Sequence, residues 1–417
     1  MKTKSARSIK SDLTAAIICA LLASRSHAHE LSGSVEAKSF IFFEDATDDD
    51  PPATGWGTLL LKEDARIGRI RVRASVRAEG ITSAERGAFG LDVADRRSRR
   101  SPLSIRELYA TIPIATAMDL QIGRFELGWG KTDGYSPADA FLPRDASDPL
   151  GDEKLPLWGA RVQGQRGALR YELYDCAVTT PWRLPVMTGR YSPVSWAGIF
   201  LQDAHDAAPK RGFGAVRLQY TWGQWDFGLW GRAGVRPAPL IEAETDTGEG
   251  TEEGSEPLVT HRRFANESGA GLEVSRIVGS WVVRGEATAL HSRDRDLRDA
   301  LIWALGAERP VRDGSFIVTV MGNARATPIN KAFLFDRALL PGFILAFNQS
   351  EGWGSWKIAW VGSFQPAGGV LKAEATYEAS DTFSLTAGTD LPHGARSSPL
   401  GALSGARRIR TSMRWSW

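Results

Sequence analysis

The sequence predicts an all-β fold: a transmembrane, antiparallel, up-and-down β-barrel of about 18 strands. Three observations predict it. Segments of about ten residues alternate apolar and polar side chains, the sequence signature of barrel strands. Connections between them alternate between short and long. The last segment is itself such a strand and ends in an aromatic residue, Trp417.

The alternation is clearest at 68–79. There Ile70, Val72, Ala74, Val76 and Ala78 interleave with Arg69, Arg71, Arg73, Ser75 and Arg77. A two-residue period sends the two sets to opposite faces of a strand, whereas a helix would mix them. In a membrane barrel the arginines must face the lumen. The same period recurs at Val216–Tyr220, Trp225–Trp230, Trp281–Ala289, Trp356–Trp360 and Leu371–Glu378. Strands are expected at 31–43, 55–63, 69–79, 103–112, 117–126, 157–165, 168–178, 211–221, 224–234, 268–276, 279–290, 301–308, 315–323, 341–348, 355–363, 368–378, 381–389 and 405–417. The segment 301–308 has the weakest alternation, and 16 strands is the main alternative. Short turns near 64–68, 113–117, 165–168, 222–224, 276–279, 309–314, 349–354 and 379–381 separate long polar stretches. These lie at 44–54, 80–102, 127–156, 179–210, 235–266, 291–300, 324–340 and 390–404. Short periplasmic turns and long outer loops are the outer-membrane arrangement. A barrel of this size leaves room for an aqueous channel.

The first 28 residues read as an export signal. Lys2, Lys4, Arg7 and Lys10 form a basic start, Leu13 to Ala23 an apolar core, and Ser26-His27-Ala28 a small-residue cleavage context. The division is a signal peptide at 1–28 and a barrel at 29–417, in the bacterial outer membrane. After residue 28 no apolar run approaches the roughly 18 residues of a membrane helix. Cys176 alone follows the signal, so no internal disulfide and no metal site of recognisable spacing is expected. The whole chain has formal charge +2, and 1–28 holds five basic residues against one acidic, so the remainder is near neutral. That excludes the basic excess of a nucleic-acid binder. Arginine still outnumbers lysine, 38 to eight, after residue 28. No cofactor is expected. The histidines beyond the signal (His29, His205, His261, His291 and His393) avoid strand centres, which argues against an outer-wall hydrolase.

The stretch 103–165 carries Arg106, Glu107 and Tyr109, then Gly123 and Arg124. Trp129, Gly130, Asp133 and Gly134 follow, then Pro137 and Asp139, then Pro143, Arg144 and Asp145. This pattern resembles a class of Gram-negative outer-membrane porin-like barrels related in style to alginate-export porins. The resemblance covers about 60 residues and implies a channel without naming its solute. It departs at Glu126, which follows the usual hydrophobic position. Independently, 127–156 is too rich in Gly, Pro and Asp to be a plain turn. Four prolines (Pro137, Pro143, Pro149 and Pro156) stiffen it, as suits a loop folded into the lumen. Trp129, Asp133, Asp139, Arg144, Asp145 and Asp148 are the candidate constriction residues.

Charged rings on a pore wall select the permeant charge. The candidates are Arg69, Arg71, Arg73, Arg77, Arg106, Arg284, Arg408, Arg410 and Arg414, which would draw carboxylate or phosphate groups. Glu172, Asp226, Glu273, Glu286, Glu374 and Glu378 share that face and compete with a structural role, neutralising the arginines across strands. The function expected is passage of small or extended polar solutes, with anions as the finer expectation from the arginine-rich inner face. The alternative is a barrel serving as structural or export partner of a periplasmic complex. Expected partners are outer-membrane lipid and lipopolysaccharide, the barrel-assembly machinery and the solute.

The terminal strand alternates Ile409, Thr411, Met413, Trp415 and Trp417 with Arg408, Arg410, Ser412, Arg414 and Ser416. Trp415 and Trp417 resemble the assembly signal of outer-membrane barrels. Removing Trp417 is expected to lower outer-membrane yield and heat-modifiable gel mobility; unchanged values in the truncated protein would refute that role.

Overall fold

In the computed structural model the described residues are 29–44, 51–82, 86–151, 153–186, 189–191, 201–203, 208–245, 258–294, 297, 299–324, 333–334, 337 and 339–417. The signal segment expected at 1–28 lies outside them, as do residues 246–257 of the long stretch 235–266.

Eighteen long strands form one closed wall. They are β1 (His29–Phe42), β2 (Ala53–Ile67), β3 (Ile70–Ile81), β4 (Leu103–Ala115), β5 (Met118–Phe125), β6 (Leu157–Arg166), β7 (Leu169–Cys176), β8 (Phe213–Trp222) and β9 (Trp225–Val235). The second half comprises β10 (Asn266–Val278), β11 (Trp281–Ser292), β12 (Ala300–Val311), β13 (Gly314–Ala324), β14 (Gly342–Glu351), β15 (Gly354–Phe364), β16 (Ala367–Glu378), β17 (Phe383–Gly394) and β18 (Arg408–Ser416). Each pairs antiparallel with its neighbours in sequence, and β1 pairs with β18 from Ser34↔Ser416 to Phe42↔Arg408. Beyond that register, Gly33 and Trp417 exchange two backbone hydrogen bonds of 3.1 Å. A Cβ on Gly33 would sit 2.5 Å from the Trp417 ring, so the seam needs a glycine there. Closure removes every sheet edge, which lipid could not solvate.

The turns are tight. Gly68 and Gly279 hold φ of +61°, a left-handed conformation that costs glycine little. The N-terminal end of β1 and the C-terminal end of β18 lie at this short-turn end.

The outer face is an apolar band. Val76, Leu173, Leu229, Leu272, Val283, Leu305, Ile358 and Leu371 are exposed on it, and Trp222, Trp353, Tyr377, Trp415 and Trp417 edge it near the turns. Aromatic girdles flanking such a band mark a membrane barrel. On β3 Val76 faces out while Ser75 and Arg77 are buried inside, in agreement with the two-residue period.

β12 explains its own weak signal. Leu301 and Leu305 point outward, but Ile302 and Ala304 on the inner face are buried against a loop. Both faces are apolar, so the alternation vanishes from the sequence although the strand spans the wall like the rest. The long loops also hold unanticipated structure: Leu240–Thr245, Leu258–Arg263, Leu201–Asp203 and Phe333–Leu334 form a separate four-stranded sheet.

A charge on the outer band of a barrel costs about 2–4 kcal/mol at the bilayer midplane. Val76→Arg or Leu229→Arg is therefore expected to reduce the folded fraction on a heat-modifiability gel, while Arg71→Ala, on the opposite face near a turn, should leave it intact. The reverse ranking would mean the facing is shifted by one residue.

Candidate functional site

The segment 127–156 crosses the barrel interior. Its first part packs Leu127, Trp129, Phe141 and Leu142 against Tyr174, Phe213 and Trp230 on the inner faces of β7 to β9. The Trp129 and Phe141 rings lie 5.1 Å apart, edge to face. Arg217 of β8 donates to the Trp129 carbonyl at 2.6 Å and pairs with Glu273 of β10 at 2.7 Å.

Glu286, in the middle of β11, takes the next turn of the loop. The amides of Lys131 and Thr132 each donate to Oε1 at 2.6 Å; the Ser136 hydroxyl and the Ala138 amide donate to Oε2. Beside it Asp133 pairs with Arg284 at 2.6 Å, and Arg284 also holds Glu308 at 2.7 Å. The motif glycines have steric reasons. A Cβ on Gly130 would meet the Ser136 side chain at 2.4 Å, and Gly134, at φ +78°, would meet Ile344 at 2.6 Å. Asp139 folds the loop on itself: it accepts from the amides of Trp129 and Gly130 and pairs with Lys154 at 2.9 Å.

The far end is fastened to other strands. Asp148 pairs with Arg408 of β18 at 2.9 Å, and Lys372 of β16 donates to the Leu150 carbonyl. Arg408 also holds Asp390 at 2.7 Å and donates to the Tyr191 hydroxyl.

A second charge cluster joins three loops to β3, β4 and β5. Glu153 pairs with Arg77 at 2.6 Å, Arg100 at 3.0 Å and Arg106 at 3.1 Å. Asp145 pairs with Arg183 and Arg100, and Asp95 with Arg124, Arg183 and Arg106. Glu79 completes it against Arg77 and Arg100, and Arg100 lies 4.3 Å above the Trp56 ring. Burial pushes the Asp95, Asp145 and Glu153 carboxyls up, but the surrounding arginines outweigh it and hold all three below the usual carboxylate range.

Between the loop and the inner faces of β13 to β16 lies a cavity of about 560 Å³. Its wall side is largely apolar, with Ile317, Ile344, Ala346, Val361 and Val370; Lys357, Lys372, Glu374 and Arg410 add charge. Asp133, Tyr135, Arg144 and Leu150 line it from the loop.

The candidate residues thus separate into groups. Arg77, Arg106, Arg284 and Arg408 are tied to loop groups, while Arg410 pairs with Glu374 at 2.6 Å on the cavity wall. Arg73 pairs with Asp64 across the β2–β3 ladder at 2.8 Å. Arg69, Arg71 and Arg414 are exposed towards the turn end. The β3 arginines do not line the cavity: Arg77 lies behind the loop, which holds it through Glu153. Periodicity did not single out Arg100, Arg183 or Asp95, because irregular loops have no period; the one trace was the basic density of 96–100. Glu286 was legible as an inner-face acid, but its loop partners, 148 to 155 positions away, were not. No group of three or more His, Cys, Asp or Glu among the described residues could hold a metal ion.

No family model and no curated protein matches the chain by sequence. Solved structures match it by fold. The BenF-like porin of Pseudomonas fluorescens Pf-5 aligns with TM-score 0.52 at 10% identity, covering 94% of this chain and 98% of that one. OpdO of Pseudomonas aeruginosa aligns at 0.57 and 9%, covering 93% and 96%. OccK2 (OpdF) of Pseudomonas aeruginosa, in complex with glucuronate, aligns at 0.51 and 9%, covering 93% and 97%. The chain has the fold of these porins, a closed 18-stranded barrel. Its apolar outer band and aromatic edge place that barrel in a bacterial outer membrane, where closed barrels of this kind cross lipid.

Carboxyls held low when folded contribute stability that is complete above their ordinary pKa of about 4 and is lost as pH falls below it. Hydrogen-exchange protection of amides 92–101 and 144–154 should therefore persist at pH 5 and fall only well below pH 4. Loss already between pH 7 and pH 5 would contradict the arginine-stabilised cluster.

Proposed function

We propose that the chain is an outer-membrane channel for small polar solutes, with 127–156 as its constriction. The observation that carries this reading is the cavity between that loop and the inner faces of β13 to β16. The loop is fastened at both ends to opposite parts of the wall, through Glu286 and through Arg408, so it narrows the lumen as a strut. A solute crossing the barrel then passes between the strut and the strands it leaves uncovered.

A preference for anions is the finer part of the proposal. Most acids along the cavity are neutralised: Asp133 by Arg284, Asp139 by Lys154, Asp145 by Arg183 and Glu374 by Arg410. Lys357 projects exposed from β15 onto the same cavity and has no ion pair among the described residues. The glucuronate held by one porin of this fold is an acid of fitting size and lends support to the same reading.

Planar-bilayer recording tests both parts. Deleting 133–148 should raise single-channel conductance and weaken ion selectivity. Lys357→Glu should move the reversal potential towards cations while conductance stays within about twofold, because charge changes and diameter does not. Equal conductance with and without the loop, in barrels shown to be folded, would remove the constriction. An unmoved reversal potential would remove the anion preference.

A further inference from the structure

We propose that Glu286 is the positioning residue of the strut: its carboxylate is an internal anion seated in an oxyanion site built by residues 131–138. The inference rests on the reading of 127–156 as the constriction and adds what holds it in place.

Glu286 is 3% exposed, yet it has no ion pair among the described residues. Its nearest charged neighbours are engaged elsewhere. Arg284, two residues earlier on the same strand, holds Asp133 and Glu308. Glu273, directly across on β10, holds Arg217. On its other side β12 presents Ala304. The carboxylate is solvated instead by neutral donors of the loop. Oε1 receives the Lys131 and Thr132 amides, and Oε2 receives the Ser136 hydroxyl and the Ala138 amide, the last at 3.1 Å. The Thr132 hydroxyl lies 3.0 Å from Oε1 and 2.7 Å from the Tyr135 carbonyl; with one hydrogen to give, it serves one of them. Four donors therefore point at two oxygens. Buried amides and hydroxyls converging on one point need an acceptor, and an ionised one binds them most strongly.

The loop is built around that acceptor. Ser136 donates to Glu286 while its oxygen accepts from the Asp139 amide at 3.3 Å, so a short helical turn at Pro137–Asp139 sets the hydroxyl's direction. Gly130 allows the chain to close over Ser136. A wall carboxylate thus organises the backbone of a segment more than a hundred residues away, without the long flexible side chain that an arginine would use. It fixes where the strut begins and, with it, the boundary of the cavity at Asp133 and Tyr135.

If the donors form an oxyanion site, removing the side chain should leave a vacancy that a small free carboxylate fills. Glu286→Ala, refolded in detergent and checked by heat modifiability, is the test, with sodium formate as the probe and sodium chloride at equal ionic strength as control. Hydrogen exchange reads the latch directly. Protection of amides 131–138 should fall at least about tenfold, the equivalent of one charged hydrogen bond lost, and formate should restore it. Single-channel traces should lose their single open level and regain it in formate. Glu286→Gln keeps the shape and one acceptor oxygen, so it serves if the alanine variant does not fold. It should show reduced protection without formate rescue, because no vacancy is left. Wild-type protection in either variant, or loss in Glu286→Ala that formate does not reverse, would overturn the proposal. Latch behaviour in exchange with conductance indifferent to deletion of 133–148 would instead sink the constriction reading and leave the latch standing.

Discussion

Closure of the sheet is the constraint on which everything else depends. A membrane offers backbone amides no water, so each strand must find both neighbours. The last strand must return to the first. Here β18 meets β1 over nine pairs, and Trp417 and Gly33 finish the seam with reciprocal backbone bonds. Once the wall is closed, its outer residues have one solvent and its inner residues another. Even-numbered closure also puts every short turn at one end and every long loop at the other.

The closed wall creates the problem that the interior solves. Eighteen strands enclose more space than their own inward side chains fill. The chain fills part of it with 127–156, and the means is electrostatic as much as apolar. Burying charges is costly unless each is paired and hydrogen-bonded. Five arginines (Arg77, Arg100, Arg106, Arg124 and Arg183) meet four acids (Glu79, Asp95, Asp145 and Glu153) in one cluster. Removing one member would strand the others, so the cluster specifies geometry even where its net contribution to stability is small. The arginine wall that a pore would use for selectivity is here partly spent on holding a loop. The loop leaves uncovered the arc under β13 to β16, whose surface is more apolar than the inner face of β3 suggested.

The sequence was most legible where two solvents meet a two-residue period. The strands lie in the segments expected for them, and alternation places those that show it, including β3 with its arginines inside and Val76 outside. Strand ends were less legible. β2 continues to Ile67 and β17 to Gly394, because strands rise beyond the lipid where polar residues no longer alternate. β12 nearly escaped, since the loop turned its inner face apolar. The glycines and acids of 127–156 were visible as a motif, but their reasons were not: Gly134 against Ile344, Asp148 against Arg408 and Ser136 against Glu286 are contacts between distant parts of the chain.

By itself the sequence determined the fold class, a strand number of about 18 with 16 as the alternative, the facing of the strands that alternate, and the presence of a stiff, unusual loop. Each follows from local periodicity and backbone chemistry, which a single chain carries in order along its length. Only the tertiary structure decided which arginines face a cavity and which face an acid. That choice depends on where 127–156 comes to rest, and its resting place is fixed by Glu286, Arg408 and Arg77, three residues on strands far apart in sequence that closure of the barrel sets around one lumen.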